Sequence, residues 1–526
     1  MTQLILLVSA VILCCVFAEK ASSRFGMPAL IFFMFIGMLF GSDGILKIPF
    51  SDFTVAENLC SAALIVIMFY GGFNTKWKLA RPVAGKAVVL STAGVVLTAL
   101  ITALLCRVVL GFSPAESFLI GAVLSSTDAA SVFAILRKNN LDLRDGTASI
   151  LEVESGSNDP AAYLLTLIGI SGLGAARAAG MVALQITVGL AAGVAFAFGV
   201  SWAMNRSRLV SQSLDAVFLT AAVLLCYGVS DRLGGNAYLS VYIMGILVGN
   251  RRLRSKQTLI PFFDGMTSLA QILIFFLLGL LTFPRQMPAM LGTALVIVAC
   301  ITLVARPAAV FALLLPFRCS VRQCLLISWA GLRGASSSVF AIMAVAGGAA
   351  MQEDLFHIVF LVSLFSVAIQ GTLLPRVARR LDMVDDTGDV RRTFNDYEES
   401  SDFALMKVEV FEGHPWAHRR IRELALPTGA LALMLKRAGR TIVTRGDTAI
   451  QTGDTVVWIA PRYTPGPDEK LEEVQVEKGH PWCGKRILEL ALPSDMIIAM
   501  VLRGADTIIP DGHTRLREND RVVTYQ

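Results

Sequence analysis

Charge is in short supply in this chain: of 526 residues, 16% are charged and 55% hydrophobic. A soluble protein carries nearer a quarter charged residues, so a chain soluble throughout is excluded. The shortage is also uneven. Up to about Leu381, apolar blocks of roughly 17–25 residues follow one another, long enough to cross a hydrocarbon core of about 30 Å. Beyond Leu381 the composition becomes ordinary. Histidine is missing from most of the apolar part, since all five lie at or beyond His357. That speaks against haem ligation and Ser–His chemistry there, and with no nucleophile-plus-base arrangement the chain does not read as an enzyme. The nine cysteines form no CxxC pair, and most sit inside apolar blocks (Cys14, Cys60, Cys106, Cys226, Cys300) as small buried hydrophobes. A TVGYG-like filter loop is absent as well. Nor is there positive charge in Met1–Gln3, whereas Glu19, Lys20 and Arg24 follow the first apolar stretch. This polarity suits a retained first span with its N-terminus outside, not a signal peptide.

What is present is a run of about thirteen apolar blocks, near 3–18, 28–42, 56–72, 84–106, 116–136, 148–170, 178–203, 213–230, 234–249, 259–283, 289–315, 322–347 and 355–375. They predict an all-α polytopic membrane domain over 1–381, then a polar, acidic-leaning linker at 382–402 and a soluble tail. Loops after odd-numbered spans hold Lys20/Arg24, Lys76/Lys78/Arg81, Arg137/Lys138/Arg144, Arg206/Arg208, Arg251/Arg252/Arg254/Lys256 and Arg318/Arg322. The other loops hold one basic residue at most. The alternation puts the basic loops and the tail in the cytoplasm, beneath a bacterial-type inner membrane.

Three ionisable residues lie deep within spans. Asp128, in Ser125-Ser126-Thr127-Asp128, is about 12 residues or about 18 Å into span 5. Asp159, in Glu154-Ser155-Gly156-Ser157-Asn158-Asp159-Pro160, reaches a similar depth in span 6, and Arg333, in Gly331-Leu332-Arg333-Gly334, does so in span 12. Burying a charge there costs at least ~2.5–3.5 kcal/mol on insertion scales, so three at one depth imply a shared polar site. Glu154/Asn158 and Ser155/Asp159 are i, i+4 pairs that give span 6 a polar quadrant. Pro160 leaves the Gly156 carbonyl without its helical partner and free to face a ligand. Ser-Ser-Thr-Asp in span 5 and Gly-x-x-Gly before Ser336-Ser337-Ser338 in span 12 are poor helix formers, at matching places in two inverted halves. Arg333 belongs to this polar site or is half of a structural pair, with Glu154 as the expected partner and Asp128 the alternative. Arg306, before Pro307 in span 11, is either structural or lines the cytoplasmic approach.

Together Thr127-Asp128, Glu154-Ser155-x-x-Asn158-Asp159-Pro160 and Gly331-Leu332-Arg333-Gly334 resemble the NhaP-like branch of the cation:proton antiporter superfamily, over the whole membrane domain. The resemblance implies that spans 5 and 12 cross at unwound segments, and that a mobile core bundle carries the ion past a dimeric scaffold. It implies that Asp159 binds cation and proton by turns, with Thr127, Asp128 and Ser155 completing the site and Asn158, Glu154 and Arg333 holding its shape. The Asn-Asp form implies electroneutral exchange. Physically, burial favours the protonated carboxyl whereas a bound cation favours the ionised one, so one group holds either guest but not both. Tyr70 departs from the pattern, in which an acidic residue often precedes Gly-Gly.

The tail repeats itself at an offset of 66 residues: Gly413-His414-Pro415-Trp416 recurs as Gly479-His480-Pro481-Trp482, and Glu423–Pro427 as Glu489–Pro493. Each unit, 403–461 and 471–526, is expected to run as a strand (Lys407–Phe411, Glu473–Glu477), a short helix ending at Pro, then strands with Gly/Asp turns. The units resemble the C-terminal subdomain of RCK domains, the TrkA-C type, a small α+β fold. Asn519 replaces Gly453 of the first unit, so a different turn is expected there. His414 and His480 read as turn-and-packing residues ahead of metal contacts. No GxGxxG module precedes the units, and no cofactor is expected.

The resulting expectation is a K⁺/H⁺ or Na⁺/H⁺ antiporter, homodimeric, embedded in lipid and without nucleic acid. Its tail would be regulated by a small molecule, of which cyclic di-AMP is one ligand known for such domains. An RCK-gated cation channel is the alternative.

Overall fold

The computed structural model describes the chain except for residues 1, 26–27, 140, 142, 173, 206–213, 252, 254–255, 350, 352–353, 385–402, 425, 427–429, 438–439, 462–470, 478, 491, 494–495, 504–505, 509 and 526. Two compact units result, Met1–Val390 and Arg391–Gln526. Several expected features lie outside the described residues: the basic positions 206, 208, 252 and 254, most of the linker, and Ala425, Pro427 and Ala491 of the repeat.

In the first unit a helix covers every expected apolar block: Thr2–Phe25, Ala29–Phe40, Phe53–Asn74, Ala84–Leu110, the pair Pro114–Val123 and Ala129–Lys138, Thr147–Ser171, Ala175–Asn205, Asp215–Arg232, Ala237–Gly249, Lys256–Leu281, Met287–Phe317, the pair Val321–Trp329 and Ala335–Ala346, and Leu355–Arg380. Among the described residues, seven helices are long and apolar enough to cross a membrane. Pro114–Val123 starts at a capping box, in which the Ser113 hydroxyl accepts from the Glu116 N–H (3.3 Å) and the Glu116 carboxylate accepts from the Ser113 N–H (3.1 Å).

Spans 5 and 12 are each broken at mid-length, over 124–128 and 330–334. In span 5 the Ser125 hydroxyl donates to the Ala122 carbonyl (2.6 Å), a local bond that competes with continuation of the helix. The second half restarts where the Asp128 carboxylate accepts from the Ser131 N–H (3.2 Å) and hydroxyl (2.6 Å). The two breaks touch directly, with the Asp128 N–H donating to the Leu332 carbonyl (2.8 Å). Unpaired backbone of one gap therefore satisfies that of the other, which is what permits non-helical chain at this depth.

The spans sort into two packing groups. Spans 1–3 and 7–10 pack mainly with one another, as do 4–6 and 11–13, and Ala335–Ala346 against Phe53–Asn74 is the largest contact between groups. Within the first group backbones approach closely. A Cβ on Gly279 would lie 2.9 Å from the Cα of Gly37, and one on Gly245 would lie 3.0 Å from the Phe73 nitrogen, so only glycine fits at either place.

Asp382 is not linker. Its carboxylate accepts from Arg144 (3.0 Å) and Arg322 (3.2 Å), and Val384 bridges Leu143, so the chain stays with the first unit past Leu381.

The second unit holds two four-stranded antiparallel sheets. The first comprises β1 (Phe403–Glu409), β2 (Leu431–Arg437), β3 (Arg440–Val443) and β4 (Thr455–Pro461), in the order β1-β4-β2-β3. The second comprises β5 (Leu471–Gln475), β6 (Ile497–Arg503), β7 (Asp506–Ile508) and β8 (Arg521–Tyr525), in the order β5-β8-β6-β7. The first strands begin earlier than expected, and the expected helix is a single 3₁₀ turn, Ile421–Glu423 or Ile487–Glu489. The 66-residue offset extends into three dimensions. Val410, Ala432, Leu435, Ile450 and Val456 form one core, and Val476, Ile498, Val501, Leu516 and Val522 form the other. The turn at Asn519 does not differ, contrary to expectation. Its φ of 69° matches the left-handed Gly453 (89°), and the N–H groups of both donate back to the first strand's end, at Val410 and Val476. Asparagine is among the few side chains that tolerate this conformation. His414 and His480 each accept, through Nδ1, the N–H of the tryptophan two residues on (3.1 and 3.2 Å), a turn-forming bond.

Each sheet also carries a bidentate pair, Arg437–Asp454 and Arg503–Asp520, both at 2.7–2.8 Å. Burial alone would raise these carboxyl pKa values. The arginines and the N–H groups of Gln451 and Arg517 outweigh it and hold both below the ordinary carboxylate range. Their stabilisation is therefore complete above the ordinary pKa of about 3.9 and is lost as pH falls below it. Two outcomes are expected from hydrogen exchange on tail peptides of the intact protein. Asn519→Ala should destabilise the second sheet by about 1–2 kcal/mol while Asn519→Gly leaves it nearly unchanged, and Arg437→Ala should move acid unfolding of the first sheet to higher pH.

Candidate ion site

Asp159 is the centre of the polar cluster and is buried. It lies in Thr147–Ser171, which runs unbroken past Pro160. Both carboxylate oxygens accept hydroxyl bonds, one from each broken span: Ser126 donates to Oδ1, and Ser336 donates to Oδ2 (2.6 Å). Neither serine is among the site residues that the sequence suggests, where both stand out only as weak helix formers. Their position at the breaks, where a hydroxyl is not held by its own helix, was the available signal.

The remaining predicted residues fall around this centre. Ser155 donates to the Thr127 carbonyl (2.7 Å), and the Asn158 amide donates to the Thr127 hydroxyl (2.5 Å). Asn158 is fully buried, and its Oδ1 receives no hydrogen bond from the described residues. A buried acceptor without a donor is costly unless a cation fills the role. Thr127 thus meets span 6 through both its carbonyl and its hydroxyl. Asp128 is beside the site but directs its carboxylate at Ser131, as the cap of the second half-helix, and against Gly334, where no Cβ would fit.

The expected pair of Glu154 with Arg333 is corrected. Glu154 is bound by Arg306, whose Nη2 reaches both carboxylate oxygens (2.6 and 2.8 Å), and both side chains are almost fully buried. A π-helical turn, Ile301–Ala305, precedes Arg306. Such a turn inserts an extra residue and rotates the side chains that follow, and no periodicity in the sequence reveals it. Arg333 instead spans the crossing. Its Nη1 donates to the Ser126 carbonyl (2.6 Å), and its backbone N–H donates to the Ser366 hydroxyl (3.0 Å). Ser366 also bonds Gln370, whose amide donates to Thr302 (2.7 Å), so the same π turn of span 11 and a second one in span 13, Ser366–Gly371, support the break. Tyr70 donates to Asp264 (3.1 Å).

The arrangement offers oxygens from a carboxylate, hydroxyls, an amide and a backbone carbonyl. Hydroxyls donate to a bare carboxylate but can turn their lone pairs to a cation. The N-terminus of Ala335–Ala346 beside Ser336 favours the ionised carboxylate, and the carbonyl end of Pro114–Val123 favours a cation. Oxygen donors of this kind suit hard monovalent cations.

The family described as sodium/hydrogen exchanger, transmembrane, matches residues 7–380, and the TrkA-C domain matches 405–462 and 471–523. The chain is 32% identical over 465 residues to the K(+)/H(+) antiporter NhaP of Alkalimonas amylolytica, covering 86% of this chain and 80% of that protein. It is 31% identical over 449 residues to the K(+)/H(+) antiporter NhaP2 of Shewanella oneidensis, covering 84% and 78%. The fold is similar to the sodium proton antiporter MjNhaP1 from Methanocaldococcus jannaschii, with a TM-score of 0.62 at 20% identity over 72% of this chain and 99% of that one.

Breaking a buried ion pair by removing one partner costs roughly 3–5 kcal/mol. Arg306→Met should therefore lower thermal stability in detergent markedly, and adding Glu154→Gln should recover much of the loss. Were Arg333→Met to cost more than Arg306→Met, the pairing described here would be wrong.

Proposed function

The chain belongs to the sodium/hydrogen exchanger family, and from that membership we propose that it exchanges a monovalent metal cation for protons, K⁺ ahead of Na⁺. The observation that carries this is Asp159: one buried carboxylate whose two oxygens are held by hydroxyls from both broken spans. The relatives at 31–32% identity are named K(+)/H(+) antiporters and the tail matches TrkA-C, which tilts the ion choice towards K⁺.

A proton on Asp159 neutralises it, and a cation between Asp159, the Thr127 carbonyl and the Asn158 oxygen does the same. An empty, ionised Asp159 leaves a charge uncompensated in a low-dielectric setting. Only loaded forms then reorient cheaply, and exchange follows without contact between the two ions. Asn158 contributes no charge, so one positive guest is exchanged for another and the cycle is electroneutral. Glu154 and Arg306 compensate each other and do not enter the count.

The basic loops and the tail are cytoplasmic in this reading, with the N-terminus outside, the protein in the inner membrane and two copies side by side in lipid. The paired TrkA-C units sense a small molecule and set the exchange rate, cyclic di-AMP being one candidate. The protein is a transporter, not an enzyme, and needs no cofactor. The channel alternative is not favoured by the family match.

In everted vesicles, adding K⁺ or Na⁺ should dissipate a preformed pH gradient without changing membrane potential, and Asp159→Asn should abolish this. Dissipation that survives in Asp159→Asn would refute the site.

A further inference from the structure

Along span 6, aromatic rings lie about one helical turn to either side of Asp159, and unequally. One helical turn beyond it on span 6, Tyr163 stacks edge-on against Tyr238 (centroids 5.0 Å apart), with Phe340 at 6.1 Å from Tyr163 and Tyr227 at 5.3 Å from Tyr238. This thicker layer is a cluster of four rings. Towards the basic loops the cover is a single ring, Tyr242, buried on span 9. It lies close against the bare backbone of Gly156, where an added Cβ would come within 2.6 Å of the ring and 2.7 Å of its oxygen. Only glycine leaves room for the ring.

Two further facts set this contact apart. Tyr242 belongs to the group formed by spans 1–3 and 7–10, whereas Gly156 belongs to the group that carries Asp159. The Tyr242 hydroxyl is also buried without a well-formed hydrogen bond, although the hydroxyls of Thr75 and Ser157 lie near it. The ring is seated by its close approach to the Gly156 backbone across the two groups. Beyond Tyr242 is a cavity of about 230 Å³ lined by Thr75, Lys76, Ser149 and Glu152 among others, and Lys76 is exposed. Glu152, Gly156 and Asp159 are spaced i, i+4, i+7 on one face of span 6, so Glu152 is about 10.5 Å along the helix from Asp159.

We propose that Tyr242 is the inner barrier of the Asp159 site, a ring fixed on one packing group against which the other seals, and that the Glu152 cavity is the antechamber where the cation collects. This rests on the exchange reading above. Removing the ring opens a continuous path past the thin side whenever the thick layer loosens. Removing the Glu152 charge lowers the local cation concentration on that side alone, an effect that salt screens.

The test uses the full chain in proteoliposomes, with ions added from each side. Tyr242→Phe should transport within about two-fold of wild type, because ring shape is what matters. Tyr242→Ala should collapse a pH gradient without added cation at least three-fold faster than wild type, and should do so in the Asp159→Asn background too. Tyr242→Leu is carried alongside in case the alanine variant does not assemble, and should leak to a lesser degree. Glu152→Gln should raise the apparent KM for the cation about five-fold from the basic side only, with Vmax within two-fold, and the shift should shrink in 0.5 M choline chloride (roughly a 4 Å screening length). Tight, coupled exchange in Tyr242→Ala or Tyr242→Leu, or equal leak in Tyr242→Phe, would overturn the barrier. A KM shift on both sides, or one indifferent to salt, would overturn the antechamber. Exchange that survives in Asp159→Asn alone would instead sink the exchange reading, so the two failures are distinguishable.

Discussion

The structure of the first unit turns on one exchange of backbone bonds: two helices, each interrupted at mid-depth, meet so that the Asp128 N–H donates to the Leu332 carbonyl. Non-helical chain surrounded by hydrocarbon leaves N–H and C=O groups that cannot be satisfied by water. Crossing the two gaps satisfies part of that demand and brings the ends of four half-helices to one place. Ser126 and Ser336 then face Asp159 from opposite sides, and the Arg333 guanidinium closes the crossing through the Ser126 carbonyl. Remove the crossing and neither serine has reason to be there.

Charge around the crossing is arranged so that one carboxylate remains chemically available. Glu154, one turn away from Asn158 on the same helix, is neutralised by Arg306 through two short bonds. Asp128 is engaged in capping. Asp159 is held by the hydroxyls of Ser126 and Ser336, which stabilise its charge less than a guanidinium and can be re-aimed at a guest. The division of labour among three acidic residues within 32 positions follows from what each one touches.

The two packing groups differ in how they are held. Glycines let backbones of spans 1–3 and 7–10 approach closely, a contact that resists sliding. Between the groups, the ring of Tyr242 packs closely on the backbone of Gly156. The Asn236 amide also crosses between the groups, donating to the Pro160 carbonyl beside Asp159 (2.9 Å). In the tail, by contrast, duplication preserves every fixed point: core residues, the arginine–aspartate pair and the left-handed turn recur at the same offset.

Much of this was legible in the sequence. Run length and the scarcity of charge located the apolar helices, because hydrocarbon thickness dictates both. Asp159, Asp128 and Arg333 stood out because charge at that depth is expensive, and the Ser-Ser-Thr-Asp and Gly-x-x-Gly stretches marked the breaks because these residues compete with or fail to support a helix. Periodicity of 66 residues exposed the duplicated tail. The tertiary structure decided who bonds to whom. A π turn before Arg306 rotates that side chain onto Glu154, and nothing in residue spacing reports such a turn, since its cost is met by packing from other spans. Ser126 and Ser336 became ligands of Asp159 only through the crossing, and Asn519 kept its turn because its backbone bond to Val476 over-determines a conformation that the residue type merely permits. Local chemistry set which groups need partners, and long-range packing chose the partners, because a hydrogen bond is satisfied by geometry and not by proximity along the chain.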